Sequence, residues 1–589
     1  MSVYNKAAFC RTQVSMTFHM FTSVYSLLAS GSDDRRVKVW NLAGECVASV
    51  DTGHHANVFA VEFLPAGNDR ILISAAGDRL VKMHDLDGYR DEPITWTTNG
   101  RVKRLATAQD EPYLFWSASE DSYIREYDTR TNRDRKLINT EEKRVKSFAI
   151  CQGRTELVAV ATDEAPVPIY DRRKPDIPLL TCVNADDKCH GNFTYTTHVS
   201  FDEMGTECLV NQGCGPIYLF KLKSDDRPTV LQKIKQIIEN NEEVPANGKH
   251  TLAFADAREQ AKELFSSKKF PEAIDIYSRA LSLSPSDYDR SVLLSNRGMG
   301  YLCRRWEGDS YACVRDCVEA LLLYPGNSKA LWRLTRSLML LEQWDLAKQC
   351  IELFRRRFPN DRSITRLTDQ VSVAMDSAHA HRSHVMTDDK HFIDYSERFC
   401  GQTNTHTDIK EANFFGSKNQ YIVAGSDCGS LLLWERSSGV LVAAWNADSS
   451  ILNIVQPHPT QFMLATSGIE EVIRFWEPME EGKECERRIS EPWTHFGQRN
   501  RHPTDERDIF LRLIGSQMVC VPLLPSFFPF IIDAKPRRTS RMCDKLVLYF
   551  IHVVFRPSVP RCDNCRNPPP VVCLRVYIIE SYMRLICIL

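Results

Sequence analysis

The strongest constraint on this sequence is a unit that recurs at nearly constant spacing. An apolar run is followed by a pair of small residues, an acidic turn, and an alternating segment closed by an aromatic residue or histidine. Residues 27–40 (LLASGSDDRRVKVW), 71–84, 114–127 and 157–170 carry it, as do 208–220, 421–434 and 463–476. The closing residues Trp40, His84, Tyr127, Tyr170, Phe220, Trp434 and Trp476 are separated by 44, 43, 43, 50, 214 and 42 positions. A unit of that length, with alternation of period two and an acidic turn, is one four-stranded blade of a β-propeller. Seven such units predict a closed ring.

The step of 214 exceeds one unit by about 170 residues, so the repeat count predicts a domain inserted between the fifth and sixth units. Its residues change period. From 251 to 359 apolar positions recur at i, i+3, i+4 and i+7, the helical pattern, and Ala261, Leu264, Phe265, Phe270, Ala273, Tyr277, Ala280 and Pro285 fit the 34-residue tetratricopeptide signature. A second copy closes with Ala320 and Pro325. A third runs through Leu338, Trp344, Ala347, Ile351 and Phe354 to Pro359, and three copies are enough for a stack in which each helix pair buries its face on a neighbour. The second copy is six residues longer than the third, and the excess is assigned to loops around 286–290 and 306–309.

The predicted fold class is therefore multidomain β plus α: a seven-bladed propeller with an all-α tetratricopeptide domain inserted between blades five and six. The boundaries read as an atypical N-terminus at 1–26, blades one to five at 27–225 and a linker at 226–250. Three helical repeats at 251–360, a second linker at 361–398, blades six and seven at 399–480, and a disordered or aberrant tail at 481–589 complete the chain. Residues 1–26 carry no Gly-His pair and leave room for little more than one strand besides 13–21.

The propeller units resemble the WD40 family. Gly53-His54 stands as the pair that opens a blade, Trp40-Asn41 and Trp434-Glu435 stand where Trp-Asp closes a strand, and Asp34, Asp78 and Asp121 occupy the tight turn. In such blades a histidine, a serine and an aspartate satisfy one another by hydrogen bonding. His54, Ser74 and Asp78 are therefore read as a structural network rather than a hydrolytic triad, with His84 as a fourth member in place of the usual Trp.

Residues 401–416 (GQTNTHTDIKEANFFG), followed by YIVAGSDCGSLLLW, resemble the segment after the insert in the WD and tetratricopeptide repeats protein 1 (adipose) family. The resemblance covers about residues 27–510. It implies a substrate receptor of a cullin-4 RING ubiquitin ligase that docks on the damaged-DNA-binding adaptor protein through blades ending in Trp/Tyr-Asp-X-Arg. Two such ends exist here, Tyr127-Asp128-Thr129-Arg130 and Tyr170-Asp171-Arg172-Arg173, in consecutive blades. Arginine's planar five-donor fork suits carboxylate or carbonyl acceptors on a partner. The motif is short, and an arginine after such a strand can equally be a solvated loop charge.

The helical insert carries a second constellation. Tetratricopeptide domains that grip the acidic C-termini of Hsp70 and Hsp90 line their groove with cations and amides, and the corresponding positions here hold Arg258, Lys262, Asn296, Lys329 and Arg333. Lys262 departs from the Asn expected there. These groups would make charge-assisted hydrogen bonds to a terminal carboxylate; the alternative is a solvated basic face.

Global composition adds exclusions. Lys plus Arg is 74 against 76 for Asp plus Glu, so no basic field marks a direct nucleic-acid partner. The 20 cysteines lack the short regular spacings of a secreted framework and predict a reducing compartment. Residues 513–532 have membrane-spanning length but include Pro522, Pro525 and Pro529, and so read as tail rather than span. Cys562-X-X-Cys565 has no second pair at zinc spacing. Gly298-Met299-Gly300 lies on a helix and marks close packing, and Arg355-Arg356-Arg357 is a basic run at a helix end. No phosphate loop, zinc-protease helix or nucleophile elbow occurs.

The expected function is thus a non-catalytic receptor, cytoplasmic and nuclear, without cofactor, metal or membrane. It would join the cullin-4 adaptor to ubiquitination targets. The competing expectation is a chaperone- or chromatin-associated scaffold that binds Hsp70/Hsp90 C-terminal peptides or histones through the helical groove.

Overall fold

The computed structural model describes residues 3–11, 18–21, 27–88, 92–183, 195–222, 228–239, 254–283, 285–377, 391–478 and 485–497. The tail beyond 497, with the stretch at 513–532 and the Cys562–Cys565 pair, lies outside them. The chain divides into two compact units, Met1–Arg512 and Leu513–Leu589, and every described residue belongs to the first.

The described strands form seven sheets, each an antiparallel meander of four strands, with one further short strand on the fourth. Every repeat found in the sequence becomes the second and third strands of one sheet. In the second sheet these are Ile71–Ala76 and Leu80–Asp85, paired from Ile71 opposite Asp85 to Ala75 opposite Val81. The small residues of the repeat lie in strands buried on both faces, as at Leu72, Ile73, Ser74, Ala75 and Ala76, because a neighbouring sheet packs on each side. This is a WD40 β-propeller.

Residues 1–26 hold one strand besides the one within 13–21, as the sequence left room for. Phe18–Phe21 supplies the innermost strand of the first sheet, pairing with Leu28–Gly31, and Val3–Arg11 pairs with Val472–Pro478 as the outer strand of the last sheet. The N-terminus thus provides both the inner strand of the first sheet and the outer strand of the last.

Inner strands share a local irregularity. The pairing register shifts between Val58 and Ala60, Val102 and Arg104, Val145 and Ser147, Thr196 and His198, and Leu452 and Ile454. Each shift leaves one residue out of the ladder, as in a β-bulge, and so re-aims its side chain. Those residues are Phe59, Lys103, Lys146, Thr197 and Asn453, and all five meet segment 404–411. Lys146 Nζ lies 2.9 Å and Lys103 Nζ 3.4 Å from Asp408 Oδ2. Thr197 Oγ1 donates to Lys410 O (3.0 Å), Thr407 Oγ1 donates to Asn453 Oδ1 (2.7 Å), and Ile409 packs with Phe59 and Ile454. The segment singled out in the sequence as a family signature therefore crosses to the third and fourth sheets, although it leads into the sixth.

Between the third and fourth strands of the fifth sheet lie α1 (Val230–Glu239), α2 (Ala255–Ser266), α3 (Phe270–Ser282), α4 (Asp287–Arg304), α5 (Asp309–Leu323), α6 (Ser328–Leu340), α7 (Trp344–Arg357) and α8 (Thr365–Ser377). The helical insert therefore interrupts the fifth blade, which corrects its expected place between blades five and six: the sequence repeat ends at the third strand, and the fourth returns only after the helices. Helices α2 to α7 form three successive hairpins. Ala261, Ala273, Tyr277 and Ala280 are buried as the signature requires, and Phe265 meets Phe270 edge-on at 5.6 Å. A Cβ on Gly300 would lie 2.7 Å from Ile274 and one on Gly298 3.1 Å from Cys313 Sγ, so both glycines permit close helix contact. The extra residues of the second copy extend α4, which has 18 residues, rather than forming a loop at 286–290.

The described parts of the segments expected as linkers are structured. Helix α1 buries Ile234 and Ile237 against the hairpins, and Arg357 Nη2 donates to Ile237 O (3.3 Å) at the C-terminal end of α1, the end that attracts cations. Helix α8 buries Leu367 and Val371, Phe392–Ile393 adds a parallel strand to the fourth sheet, and Glu397–Phe399 completes the fifth. Part of the expected tail is also ordered. Ile489 N donates to Ala444 O (2.9 Å) and Asn446 N to Arg487 O (2.9 Å) on the edge of the sixth sheet, ahead of the short helix α9 (Pro492–Gly497).

The helical domain is not tethered by its linkers alone. Asp309, at the start of α5, accepts from Arg304 Nη2 (2.7 Å) and also from Arg398 of the fifth sheet, all three being buried side chains. Tyr311 donates its hydroxyl to Asp394 (2.8 Å), and Arg315 lies over the Tyr395 ring. From the C-terminal segment, Trp493 Nε1 donates to Asp275 Oδ2 on α3 (2.7 Å) and its ring meets Trp306 at 5.9 Å.

Candidate partner-docking site

The structure places the two Tyr-Asp-X-Arg ends in the third and fourth sheets, each just after the third strand. Tyr127 and Tyr170 are buried core residues. Tyr127 stacks on Phe115 at 4.4 Å and bonds Ser117 Oγ at 3.0 Å, and burial raises its phenol to about 12. Neither tyrosine is a surface for a partner, which corrects their assignment as contact residues; they anchor the strand from which the turn leaves.

The aspartates hold the arginines. Asp128 Oδ1 accepts from both the backbone N–H (2.9 Å) and Nε (3.0 Å) of Arg130, and Oδ2 accepts from Nη2 (2.9 Å). Asp171 does the same for Arg173, with N–H and Nε both at 2.9 Å and Nη2 at 2.6 Å. The hydrogen bonds from Arg173 are the main cause that depresses the Asp171 carboxyl to about 2, and those from Arg130 lower Asp128. Both guanidinium groups remain largely exposed, at 60% and 68% of their side chains. The X position matters too, which sequence reading missed. Arg172 turns inward, pairs with Glu111 of the third sheet, reaches Glu126 at 3.4 Å and lies over Trp116. It ties the two motif-bearing sheets together. Its only sequence signal is a second arginine beside the first.

The groove residues of the helical domain are only partly brought together. Arg333 Nη1 donates to Ser295 Oγ (2.6 Å) and to Asn296 Oδ1 (3.4 Å). Burial raises the Tyr277 phenol, against the charges of Arg333 and Arg258. Burial lowers the Arg333 guanidinium, opposed by the nearby thiols of Cys317 and Cys313. Lys262 instead points outward, 3.3 Å from Glu259 one turn away, and Lys329 is exposed.

The blade network is as expected. His54 Nδ1 donates to Asp78 (3.0 Å), His54 Nε2 accepts from Ser74 Oγ (2.9 Å), and Ser74 Oγ accepts from His84 Nε2 (2.8 Å). Ser74 is wholly buried with its hydroxyl used in both directions, so no substrate carbonyl can reach it. Among the described residues no cluster of three metal-ligating side chains occurs, and no helix is long and apolar enough to cross a membrane.

A propeller whose His54, Ser74, Asp78 and His84 are consumed by a structural network, with arginine forks set in exposed turns and a region of helical hairpins in the same chain, defines a WD-repeat protein of the scaffold or adaptor class. Residues 11–41 match the model of the WD domain, G-beta repeat. The chain is 33% identical over 575 residues to WD and tetratricopeptide repeats protein 1 of Mus musculus, covering 81% of this chain and 84% of that protein. The Homo sapiens protein of the same name is 32% identical over 591 residues, covering 83% and 87%. The chain belongs to the WD and tetratricopeptide repeats protein 1 family. A stretch of 93 residues, 16% of this chain and 11% of the relative, is 38% identical to DDB1- and CUL4-associated factor 6 of Homo sapiens.

Proposed function

We propose that the protein is a non-catalytic substrate receptor of a cullin-4 RING ubiquitin ligase: a seven-bladed WD40 propeller with three tetratricopeptide repeats inserted within blade five, between its third and fourth strands, acting in cytoplasm and nucleus. In this reading Arg130 and Arg173 dock on the damaged-DNA-binding adaptor protein, and another surface presents the target for ubiquitin transfer. The observation that carries it is the matched construction of the two turns, each with an aspartate gripping an exposed arginine in neighbouring sheets. Similarity to a protein named as DDB1- and CUL4-associated adds support. Replacing Arg130 and Arg173 together by Ala is expected to abolish recovery of the adaptor with the full chain while leaving its circular dichroism unchanged. Undiminished recovery refutes the assignment.

A second reading has its own support. Arg333 is half-buried, its hydrogen bonds to Ser295 and Asn296 go to neutral groups, and its charge acts with that of Arg258 on the Tyr277 phenol, which suits a carboxylate ligand such as the acidic C-terminus of Hsp70 or Hsp90, or a histone segment. Calorimetry with acid and amide forms of one acidic peptide discriminates. Tighter binding of the acid, weakened by Arg333→Ala, supports the groove; equal affinities leave it a solvated face.

A further inference from the structure

The turns that carry Arg130 and Arg173 belong to a continuous surface on which several large apolar side chains are also exposed. In a meander of four strands, the loop joining the first two strands and the loop joining the last two lie at the same end of the sheet. Tyr113 and Arg130 occupy those two loops of the third sheet, and the Arg130 guanidinium lies 5.4 Å over the Tyr113 ring. Arg172 carries the contact to the fourth sheet through Glu111, two residues before Tyr113. There Glu156 holds Arg154 at 3.2 Å and lies within the electrostatic reach of Arg173. The same loop touches the fifth sheet: Gly153 N donates to Glu203 O at 3.0 Å, next to Met204. The path from Tyr113 to Met204 is therefore unbroken across three sheets.

Along this path large apolar side chains stand in solvent. Ile177 is 75% exposed, Met204 66%, Tyr113 48% and Leu179 46%, and Ile177 and Leu179 follow Arg173 in the same loop. Single exposed hydrophobic residues need no explanation, but a contiguous set beside preorganised hydrogen-bond donors has the composition of an interface. The arginines of the patch are paired within it, and the other exposed charges beside its apolar residues, Lys174, Asp176 and Glu203, are of both signs. Arg130 is clasped by Asp128, Arg173 by Asp171, Arg172 by Glu111 and Arg154 by Glu156. A partner therefore meets little net field. Affinity must come from apolar area removed from water, while the arginine forks, each with its own carboxylate, orient acceptors on the partner.

We propose that Tyr113, Ile177, Leu179 and Met204, with Arg130 and Arg173, form one docking surface for the cullin-4 adaptor, in which the apolar side chains supply the affinity and the arginines the orientation. This rests on the reading given under Proposed function and adds the chemistry required of the partner: an apolar patch of low net charge with hydrogen-bond acceptors beside it.

The test uses the full chain and purified adaptor, with binding measured for Ile177→Asp, Met204→Asp, the Arg130→Ala/Arg173→Ala pair, and Leu283→Asp as a control at an exposed leucine of the helical domain. Ile177→Asp and Met204→Asp are each expected to weaken binding roughly tenfold or more, Leu283→Asp to leave it unchanged. Raising salt from about 0.1 to 0.5 M should alter wild-type affinity by less than about threefold, since the attraction does not depend on unscreened charge. Wild-type affinity for both aspartate variants, with binding lost in the arginine pair, overturns the apolar surface and leaves the receptor reading standing. Steep salt dependence likewise overturns it. An adaptor that ignores the wild-type chain removes both.

Discussion

One register relation recurs through the propeller at the level of single residues. Trp40 donates to Ser30, His84 to Ser74 and Trp476 to Thr466, and Tyr127 bonds Ser117; in every case the hydroxyl lies ten residues back on the paired strand. In these four sheets the closing residue has a polar tip that reaches a hydroxyl, so His can stand where Trp or Tyr stands, whereas Trp434 donates instead to Cys400 O and Phe220 has no polar tip. His has a cost the others lack. Burial, with the charges of His54 and Lys82, depresses its pKa from 6.5 to about 4. The unfolded chain takes up that proton near pH 6.5 and the folded chain only near 4, so this contribution to stability is lost as pH falls across that window. His84→Tyr keeps the hydroxyl contact and removes the proton, so its melting temperature is expected to fall less than that of wild type between pH 6.5 and 4.5. Ser74→Ala strands both histidines and should destabilise by about 1–3 kcal/mol, read as a lower denaturation midpoint at pH 7.

At the scale of elements, the repeats were legible because strands and helix pairs carry their own period, and the alanine and aromatic positions of α2 and α3 lie where the pattern puts them. The segments between the repeats fall outside the blade and tetratricopeptide signatures and were read as linkers and tail, although Val230, Ile234, Ile237 and Ile238 of α1 already have helical spacing. Ile234, Ile237, Leu367 and Val371 find the surface they cover only where the hairpins supply it. A fragment spanning 229–378 is therefore expected to melt cooperatively and at higher temperature than one spanning 247–361, which lacks α1 and α8; circular dichroism compares them. The C-terminal segment makes a further prediction. Asp275 is held protonated up to about 7 chiefly by desolvation, against the Trp493 hydrogen bond and the charges of Arg279 and Arg304. A raised carboxyl destabilises the folded form as pH climbs from the unfolded value near 3.8 to about 7, because the unfolded chain ionises first. Asp275→Asn should flatten that part of the stability profile, and Trp493→Ala should raise hydrogen exchange in α3 while leaving the first three sheets unchanged.

In the molecule as a whole, the ring is held shut at its rim and at its centre, and neither device follows from a repeat motif. The rim is closed by Val3–Arg11 on Val472–Pro478, a pairing between chain positions separated by almost the whole propeller. The centre is crossed by segment 404–411, where the bulge residues of five inner strands converge. Lys103 and Lys146 bring their ammonium groups to Asp408 from two adjacent sheets, with Glu120 3.9 and 3.6 Å away, and the two cations hold the Asp408 carboxyl well below the usual range despite its burial. Sequence reading noticed this segment as a signature but could not assign it, since the lysines it meets lie about 260 and 305 residues upstream. Asp408→Ala would leave two mostly buried ammonium groups sharing one carboxylate, and is expected to cost about 1–3 kcal/mol because Asp408 itself remains partly solvated. Lys103→Met in the same chain removes one of those cations and should recover part of the loss, whereas Lys348→Met on α7, remote from the cluster in sequence and on a different domain, should recover none. Denaturation midpoints of the single and double variants measure the coupling. Additive effects of Asp408→Ala and Lys103→Met would show that the segment is held by its backbone bonds to Thr197 and Asn453 rather than by the charges.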